Sequence, residues 1–136
     1  FYDSRHKALL AGDLLSTLLS MYVGTPGGHL ETYFQSLEKI RALNTRLLYP
    51  SHGMPTLEGE ALINKTIEHR RARIEQVREV LSRNPGPVLE ISRKVYDHEK
   101  DARLRPLYER TTRAALEYLV ENGRARRIEE DLYEAC

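Results

Sequence analysis

The chain has 136 residues and a formal net charge of +1, with 40% hydrophobic and 30% charged residues. This length allows one domain, or a small domain and a piece of another. No run of about 18 apolar residues is present, which excludes a membrane span, and a net charge near zero indicates no polyanionic partner. The only cysteine is Cys136, so internal disulfides and thiolate metal clusters are excluded, and we predict a cytoplasmic location.

The first part of the sequence is typical of an α/β domain. In chain order, the predicted elements are a turn at 2–6, a short buried strand at 7–11 that ends at Gly12-Asp13, a glycine-rich loop, a helix at 30–43, a second short strand at 46–49 and a loop at 50–55. Two strands do not make a stable sheet on their own, and only Phe1-Tyr2 precedes the first turn. We therefore expect residues 1–68 to be half of a domain, whose sheet begins upstream of Phe1.

The second part, residues 69–136, is mostly helical. The predicted elements are a long helix that starts at about 59 and ends at 82, a break at Pro85-Gly86-Pro87, a short helix at 88–96, a charged loop at 97–103, a helix opened by Pro106, and a hairpin with strands at 124–128 and 132–135. Proline is favoured at a first helical position because its missing N–H would have no partner there, and Asn122-Gly123 is a helix C-cap signal. Three helices followed by a hairpin is the layout of a winged helix-turn-helix domain.

Two short segments carry candidate metal ligands. Asp13 and His52 each lie just past the C-terminal end of a predicted strand, which is the edge of an α/β sheet where ligands collect. A carboxylate and an imidazole together suit zinc, manganese or iron(II). The structural alternatives are a helix or turn cap for Asp13 and a polar loop residue for His52.

The order of these segments resembles the C-terminal half of the metallo-β-lactamase superfamily. The segments are an apolar strand with Gly12-Asp13, a helix with Tyr33-Phe34-Gln35-Ser36-Leu37, and an apolar strand with Pro50-Ser51-His52-Gly53. The resemblance covers residues 1–68, and the predicted winged helix extends it to members with such a tail, among them endoribonucleases and thioester hydrolases. It implies half of an αββα sandwich in which Asp13 bridges two Zn²⁺ ions and His52 binds one of them. The metals of such a centre share a water, lower its pKa and polarise the bond under attack.

Most of the family's metal site is absent from this sequence. The His-x-His-x-Asp-His motif is missing, and so is the further histidine that precedes the Gly-Asp strand. A catalytic zinc needs three protein ligands, so we expect a hydrolase fragment with no complete catalytic set, weak or no metal binding and no turnover. His29 lies in the glycine-rich loop near the expected mouth of the site and is a candidate substrate contact. The remaining histidines are expected to be solvated: His6, His69 and His98.

Arginines in the second part support a rival interpretation, a winged-helix module that binds nucleic acid or a protein without catalysis. Arg124, Arg126 and Arg127 lie on the predicted wing, where such residues contact phosphates in DNA-binding winged helices. Acidic residues are interleaved with them, so the expected net field is small. Three arginines of the long helix are expected to form a solvated face with nearby glutamates: Arg70, Arg71 and Arg73.

The substrate stays open between a carboxylic ester, a thioester and an RNA phosphodiester, because one dinuclear centre suits all three. No membrane partner is expected. Self-association through the cut edge of the sheet is a third possibility, since such an edge exposes unpaired backbone. The enzyme interpretation requires Asp13 and His52 to point into one cleft, and side chains on opposite faces would exclude it.

Overall fold

The computed structural model describes residues 1–18, 20–98 and 101–136. The chain forms two compact units, of which the first comprises Phe1–Tyr22 and Glu31–Arg70 and the second comprises Val23–Leu30 and Arg71–Cys136. The domain boundary after residue 68 stays a prediction. Within the described residues, no helix is long and apolar enough to cross a membrane.

The first unit contains a three-stranded sheet in the order β1-β2-β3, formed by β1 (Tyr2–Asp3), β2 (Ala8–Ser16) and β3 (Leu47–His52). β1 and β2 form an antiparallel hairpin across the predicted turn. β2 and β3 are parallel, and Ser16 lies opposite His52 in their register. Parallel strands bring their carboxyl ends to the same edge of a sheet, so the ends of β2 and β3 lie side by side.

Both long strands of this sheet extend further than the sequence predicts. We expected the first strand to end at Gly12-Asp13, and this was wrong: β2 continues to Ser16, because Gly12 adopts a φ of +56° and the register with β3 shifts around it. β3 runs through Pro50 to His52, where we expected a loop. A proline is tolerated there because β3 lies at the edge of the sheet. The two candidate ligands are therefore strand residues.

The helices of the first part match the predicted ones closely. They are α1 (Leu30–Arg41) and α2 (Gly59–Arg83). α1 ends shortly before Asn44, which takes a left-handed backbone with a φ of +52°. The buried apolar side chains of the first unit come from both long strands and both helices: Leu9, Leu15, Phe34, Leu37, Leu48, Ile63 and Ile67.

Arg70 departs from the solvated face that the sequence predicts for α2. It is only 5% exposed, and its guanidinium carbon lies 5.6 Å from the centre of the Tyr33 ring. Burial raises the pKa of Tyr33, and the Arg70 cation partly opposes this rise. The physical reason is the helical spacing, since Arg70 continues the buried stripe of Ile63 and Ile67 and an aromatic face compensates a cation there.

The second unit contains the rest of the helices and a second sheet. Its elements are α3 (Val88–Val95), α4 (Arg105–Glu121), and a sheet in the order β4-β6-β5 formed by β4 (Gly86–Pro87), β5 (Ala125–Glu129) and β6 (Leu132–Ala135). The predicted hairpin is confirmed as the antiparallel pair β5–β6, and Pro106 lies in the first turn of α4 as expected. A short 3₁₀ helix at Ala102–Leu104 occupies part of the predicted charged loop. Three residues of the predicted loops lie outside the described residues: Leu19, Glu99 and Lys100. The winged-helix assignment stays a prediction.

Candidate metal-binding site

The C-terminal part of β2 and the end of β3 bring Asp13 and His52 together. The Oδ1 atom of Asp13 lies 3.4 Å from Nε2 of His52, and the two side chains are 76% and 60% exposed. Because the residues are far apart in sequence, this approach depends on the parallel register of the strands. The two side chains therefore do not lie on opposite faces of the sheet, and metal binding itself stays a prediction.

Two glycines shape this edge of the sheet. Gly12 has a φ of +56° within β2, and Gly53 has a φ of +96° directly after β3. A Cβ atom at position 53 would lie 2.0 Å from Oγ1 of Thr17, so the loop after β3 can approach the end of β2 only because glycine has no side chain. Thr17 holds this approach, since its N–H donates to the His52 carbonyl at 3.3 Å and its hydroxyl donates to the Met54 carbonyl at 3.0 Å.

Ser51 is a third polar residue of the site, which the sequence pattern did not reveal. Its hydroxyl donates a hydrogen bond of 2.6 Å to Oδ1 of Asp13. This bond orients the carboxylate without neutralising its charge. In the sequence Ser51 is one residue of a segment rich in proline and glycine. The signal that would have identified it is the register between β2 and β3, which a single sequence does not display.

The separation of the two candidate ligands fits one tetrahedral metal ion. Zinc bonds of about 2.0–2.2 Å to nitrogen and oxygen, at a tetrahedral angle, place the two donor atoms about 3.4 Å apart. Asp13 and His52 are 3.4 Å apart. Within the described parts of the chain, no group of three or more histidine, cysteine, aspartate and glutamate side chains is placed to hold a metal ion. The chemistry and spacing of the pair therefore fit a metal ion, and the pair would supply two of its ligands.

His29, the candidate substrate contact, lies in the second unit. Its Nε2 atom is 2.9 Å from Oε1 of Glu121, the last residue of α4. The histidine therefore has an acidic partner within its own unit. A contact with substrate stays a prediction.

Two further histidines form local pairs with carboxylates. Nδ1 of His6 lies 2.7 Å from Oδ2 of Asp3 in the N-terminal turn, and Nδ1 of His98 lies 3.5 Å from Oδ1 of Asp97. The His6 side chain holds the pKa of Asp3 below its ordinary value of 3.8. Proximity of a histidine to a carboxylate is therefore common in this chain, and the location at two strand ends is what distinguishes the pair formed by β2 and β3.

The arginines of the predicted wing all have hydrogen-bond acceptors within the second unit. Nη2 of Arg124 donates to Oε2 of Glu75 at 2.7 Å, and Arg126 bonds Glu134 across the hairpin. Nε of Arg127 donates to a backbone carbonyl at the end of β5 at 3.2 Å. Carboxylates match two of these three positive charges, which reduces the net field of the hairpin. Phosphate binding by these residues stays a prediction.

Comparison with known proteins shows that the chain is similar to proteins of the metallo-β-lactamase fold family. The chain is 30% identical over 67 residues to a protein of Bacillus subtilis (strain 168) named probable metallo-hydrolase YqjP, and the match covers 49% of the chain and 21% of that protein. No protein-family model matches the sequence.

Two solved structures share the fold of the chain. A metallo-beta-lactamase family protein from Thermus thermophilus matches with a TM-score of 0.84 and 27% identity over 100% of the chain and 44% of that protein. A beta-lactamase domain protein from Burkholderia ambifaria matches with a TM-score of 0.87 and 23% identity over 99% of the chain and 43% of that protein. The chain thus has an α/β fold that matches metallo-β-lactamase domain proteins, and it spans less than half the length of each protein that it matches.

Proposed function

We propose that this chain is the C-terminal part of a metal-dependent hydrolase and that Asp13 and His52 are two of its metal ligands. The observation that carries the proposal is the 3.4 Å approach of their donor atoms between the C-terminal part of β2 and the end of the parallel strand β3. An aspartate and a histidine at this edge are also the pair that the sequence resemblance assigns to the metal. The match to metallo-β-lactamase fold structures supports the same assignment.

In this proposal, Asp13 would hold Zn²⁺ with its carboxylate and His52 would hold it with a neutral imidazole nitrogen. Such ions, when bound, supply an activated water for attack on an ester, a thioester or a phosphodiester. Ser51 fixes the orientation of the Asp13 carboxylate through its 2.6 Å hydrogen bond, which is the usual task of groups behind a metal ligand. Gly53 and Thr17 hold the loop that follows His52 in place.

The remaining ligands, in a His-x-His-x-Asp-His motif, belong in this proposal to a further segment of the protein. A chain with two ligands is expected to bind Zn²⁺ weakly and to have no turnover by itself. The second unit is proposed to be a winged helix, which is supported by the order of α2, α3 and α4 followed by the hairpin β5–β6. A cytoplasmic location is part of the same proposal.

Titration of the chain with Zn²⁺, followed by calorimetry, tests the metal ligands. We expect His52→Ala and Asp13→Asn each to lower the affinity by about tenfold or more, because each removes one of two ligands that act together. His6→Ala is the matched control, since the His6–Asp3 pair is also exposed and its atoms are even closer, at 2.7 Å. Equal losses in His52→Ala and His6→Ala, or no loss in His52→Ala, would contradict the proposal.

A further inference from the structure

A cavity of about 190 Å³ lies in the first unit, against one face of α2. The helix lines it with Leu62, Lys65, Thr66 and His69, which are spaced by three and four residues and therefore share a face. The sequence predicts a solvated position for His69; its side chain is exposed and forms part of this wall. A polar face of α2 therefore lines this cavity.

The end of β2 forms another part of the same wall, through Ser16, Thr17 and Leu18. Ser16 lies opposite His52 in the register of the two strands, and the N–H of Thr17 donates to the His52 carbonyl. The cavity is therefore connected through two residues to the strand end that carries a candidate metal ligand. A group bound in it would lie at the same edge of the sheet as Asp13 and His52.

The charged side chains of this wall are cationic. Lys65 contributes a positive charge, and none of the described lining residues is acidic. Within the part of the chain that the structure describes, the Lys65 ammonium has no ion pair. The hydroxyl protons of Thr17 and Thr66 are donated to backbone carbonyls at 3.0 Å and 2.8 Å. Attraction of an anion therefore depends first on Lys65.

The rest of the wall is mixed, since Ser16 and Ser20 add hydroxyl groups to its hydrocarbon part. Leu18 and Leu62 contribute apolar side chains, and a lysine adds its methylene stem. Complete small-molecule sites usually have volumes of about 300–1,000 Å³, so a cavity of about 190 Å³ has room for one part of a ligand. A wall with two leucines, several hydroxyl groups and a single lysine fits a short chain that carries one negative charge. It fits RNA poorly, because an RNA backbone requires several cations in a row.

We propose that this cavity binds the anionic end of the hydrolase substrate, a short acyl or alkyl chain that carries a carboxylate or a phosphate. The inference rests on the proposed function, because only a hydrolytic site at the ends of β2 and β3 makes the cavity a substrate subsite. It assigns the substrate to the negatively charged small-molecule esters and thioesters.

NMR titration of the metal-free chain with four probes tests the subsite. Butyrate and butyl phosphate represent the two anion sources, butylammonium reverses the charge, and 1-butanol removes it. We expect the two anions to shift the signals of Leu62, Lys65 and Thr66 at the lowest concentrations, 1-butanol to shift them at about two- to fivefold higher concentrations, and butylammonium to bind more weakly still. Lys65→Gln should weaken anion binding by about two- to fivefold, the size of a solvent-exposed charge contact. Lys39→Gln, at an exposed lysine of α1, is the matched control and should have no effect.

An equal response to butyrate and 1-butanol would overturn the proposal, and so would equal losses in Lys65→Gln and Lys39→Gln. Binding of a short oligouridylate at these residues without binding of butyrate would overturn the assignment to small molecules. Because the probes are titrated without metal, the outcome is independent of the zinc titration. If butyrate binds but His52→Ala does not change the zinc affinity, the metal site is contradicted. If His52→Ala lowers the zinc affinity but butyrate does not bind, only the cavity proposal is contradicted.

Discussion

Two exposed histidine–carboxylate pairs of the first unit differ in what their carboxylates bind. In the N-terminal turn, Asp3 accepts hydrogen bonds from the backbone N–H groups of Arg5 at 2.9 Å and His6 at 3.3 Å, and also contacts the His6 ring. At the strand ends, Asp13 accepts a hydrogen bond from the Ser51 hydroxyl and faces the His52 ring, so its partners are side chains of β3.

The difference shows that the pair in the N-terminal turn has a structural explanation. Asp3 stabilises the turn that contains it. An aspartate side chain commonly accepts a hydrogen bond from the backbone N–H group two residues later in the chain. Asp13 lies inside β2, so the turn or helix cap that its sequence position also allowed is not its role. A polar pair open to solvent at the carboxyl edge of two parallel strands is placed to bind a ligand.

Substitution of Gly53 should have the largest effect, because the strand-end pair depends on a close approach of two segments. Alanine at this position combines a φ of +96° with a Cβ atom 2.0 Å from Thr17 Oγ1. The left-handed backbone costs about 1–2 kcal/mol, and with the displacement of Thr17 we expect a total loss of about 3 kcal/mol in the free energy of unfolding. Denaturation by urea measures this loss.

Gly27→Ala is the matched control, since Gly27 has a φ of +99° and nothing within 4 Å of an added Cβ atom. It should lose only the backbone contribution of about 1–2 kcal/mol. Equal losses at positions 53 and 27 would show that the contact with Thr17 does not hold the loop after β3.

Ser51→Ala should have an intermediate effect, on metal binding rather than on stability. Loss of the hydroxyl removes the 2.6 Å hydrogen bond that orients Asp13, and we expect a loss in Zn²⁺ affinity of about tenfold. The free energy of unfolding should change by less than about 0.5 kcal/mol, because the site is exposed. Ser82→Ala, which removes a hydroxyl bonded to the Glu79 carbonyl, should leave the affinity unchanged. An unchanged zinc affinity in Ser51→Ala would remove Ser51 from the site.

Asp3→Asn should have the smallest effect, confined to the stability of the turn. The His6 side chain is the main cause that holds the pKa of Asp3 below its ordinary value of 3.8. A carboxyl group with a lower pKa in the folded chain stabilises the fold when ionised. The stability advantage of the unaltered chain over Asp3→Asn should thus be present above pH 3.8 and disappear as the pH falls through the folded pKa. An advantage that grows toward low pH, or a loss of zinc affinity in Asp3→Asn, would contradict the local role of this pair.

Local signals in the sequence predict most of the elements of this fold. The apolar spacing of α1 and α2 and the turn residues between β5 and β6 are patterns within one segment. Each of these patterns predicts its element correctly. Gly12 and Pro50 are breakers in an isolated strand, but here they lie within β2 and β3 because pairing between the strands tolerates both. The length of a strand therefore depends on its pairing with a neighbouring strand, and local composition does not predict it.

The two candidate ligands were predictable from their positions after apolar strands and from the family resemblance. Asp13 and His52 stand in recognisable segments, so their proximity was expected. The Ser51 hydrogen bond and the partnership of His29 with Glu121 each depend on a residue distant in sequence. No periodicity or turn signal encodes such contacts.

The most direct test of the metal-site proposal is the location of a divalent cation on the unaltered chain. Paramagnetic Mn²⁺, added in small amounts to the isotope-labelled chain, broadens the NMR signals of residues near its binding site. We predict that the signals of Asp13, Ser51 and His52 broaden first, because these residues meet at the ends of β2 and β3. Earliest broadening at residues 3–6 or 97–98 would contradict the proposal, since cations would then bind the local histidine–carboxylate pairs in preference to the strand ends.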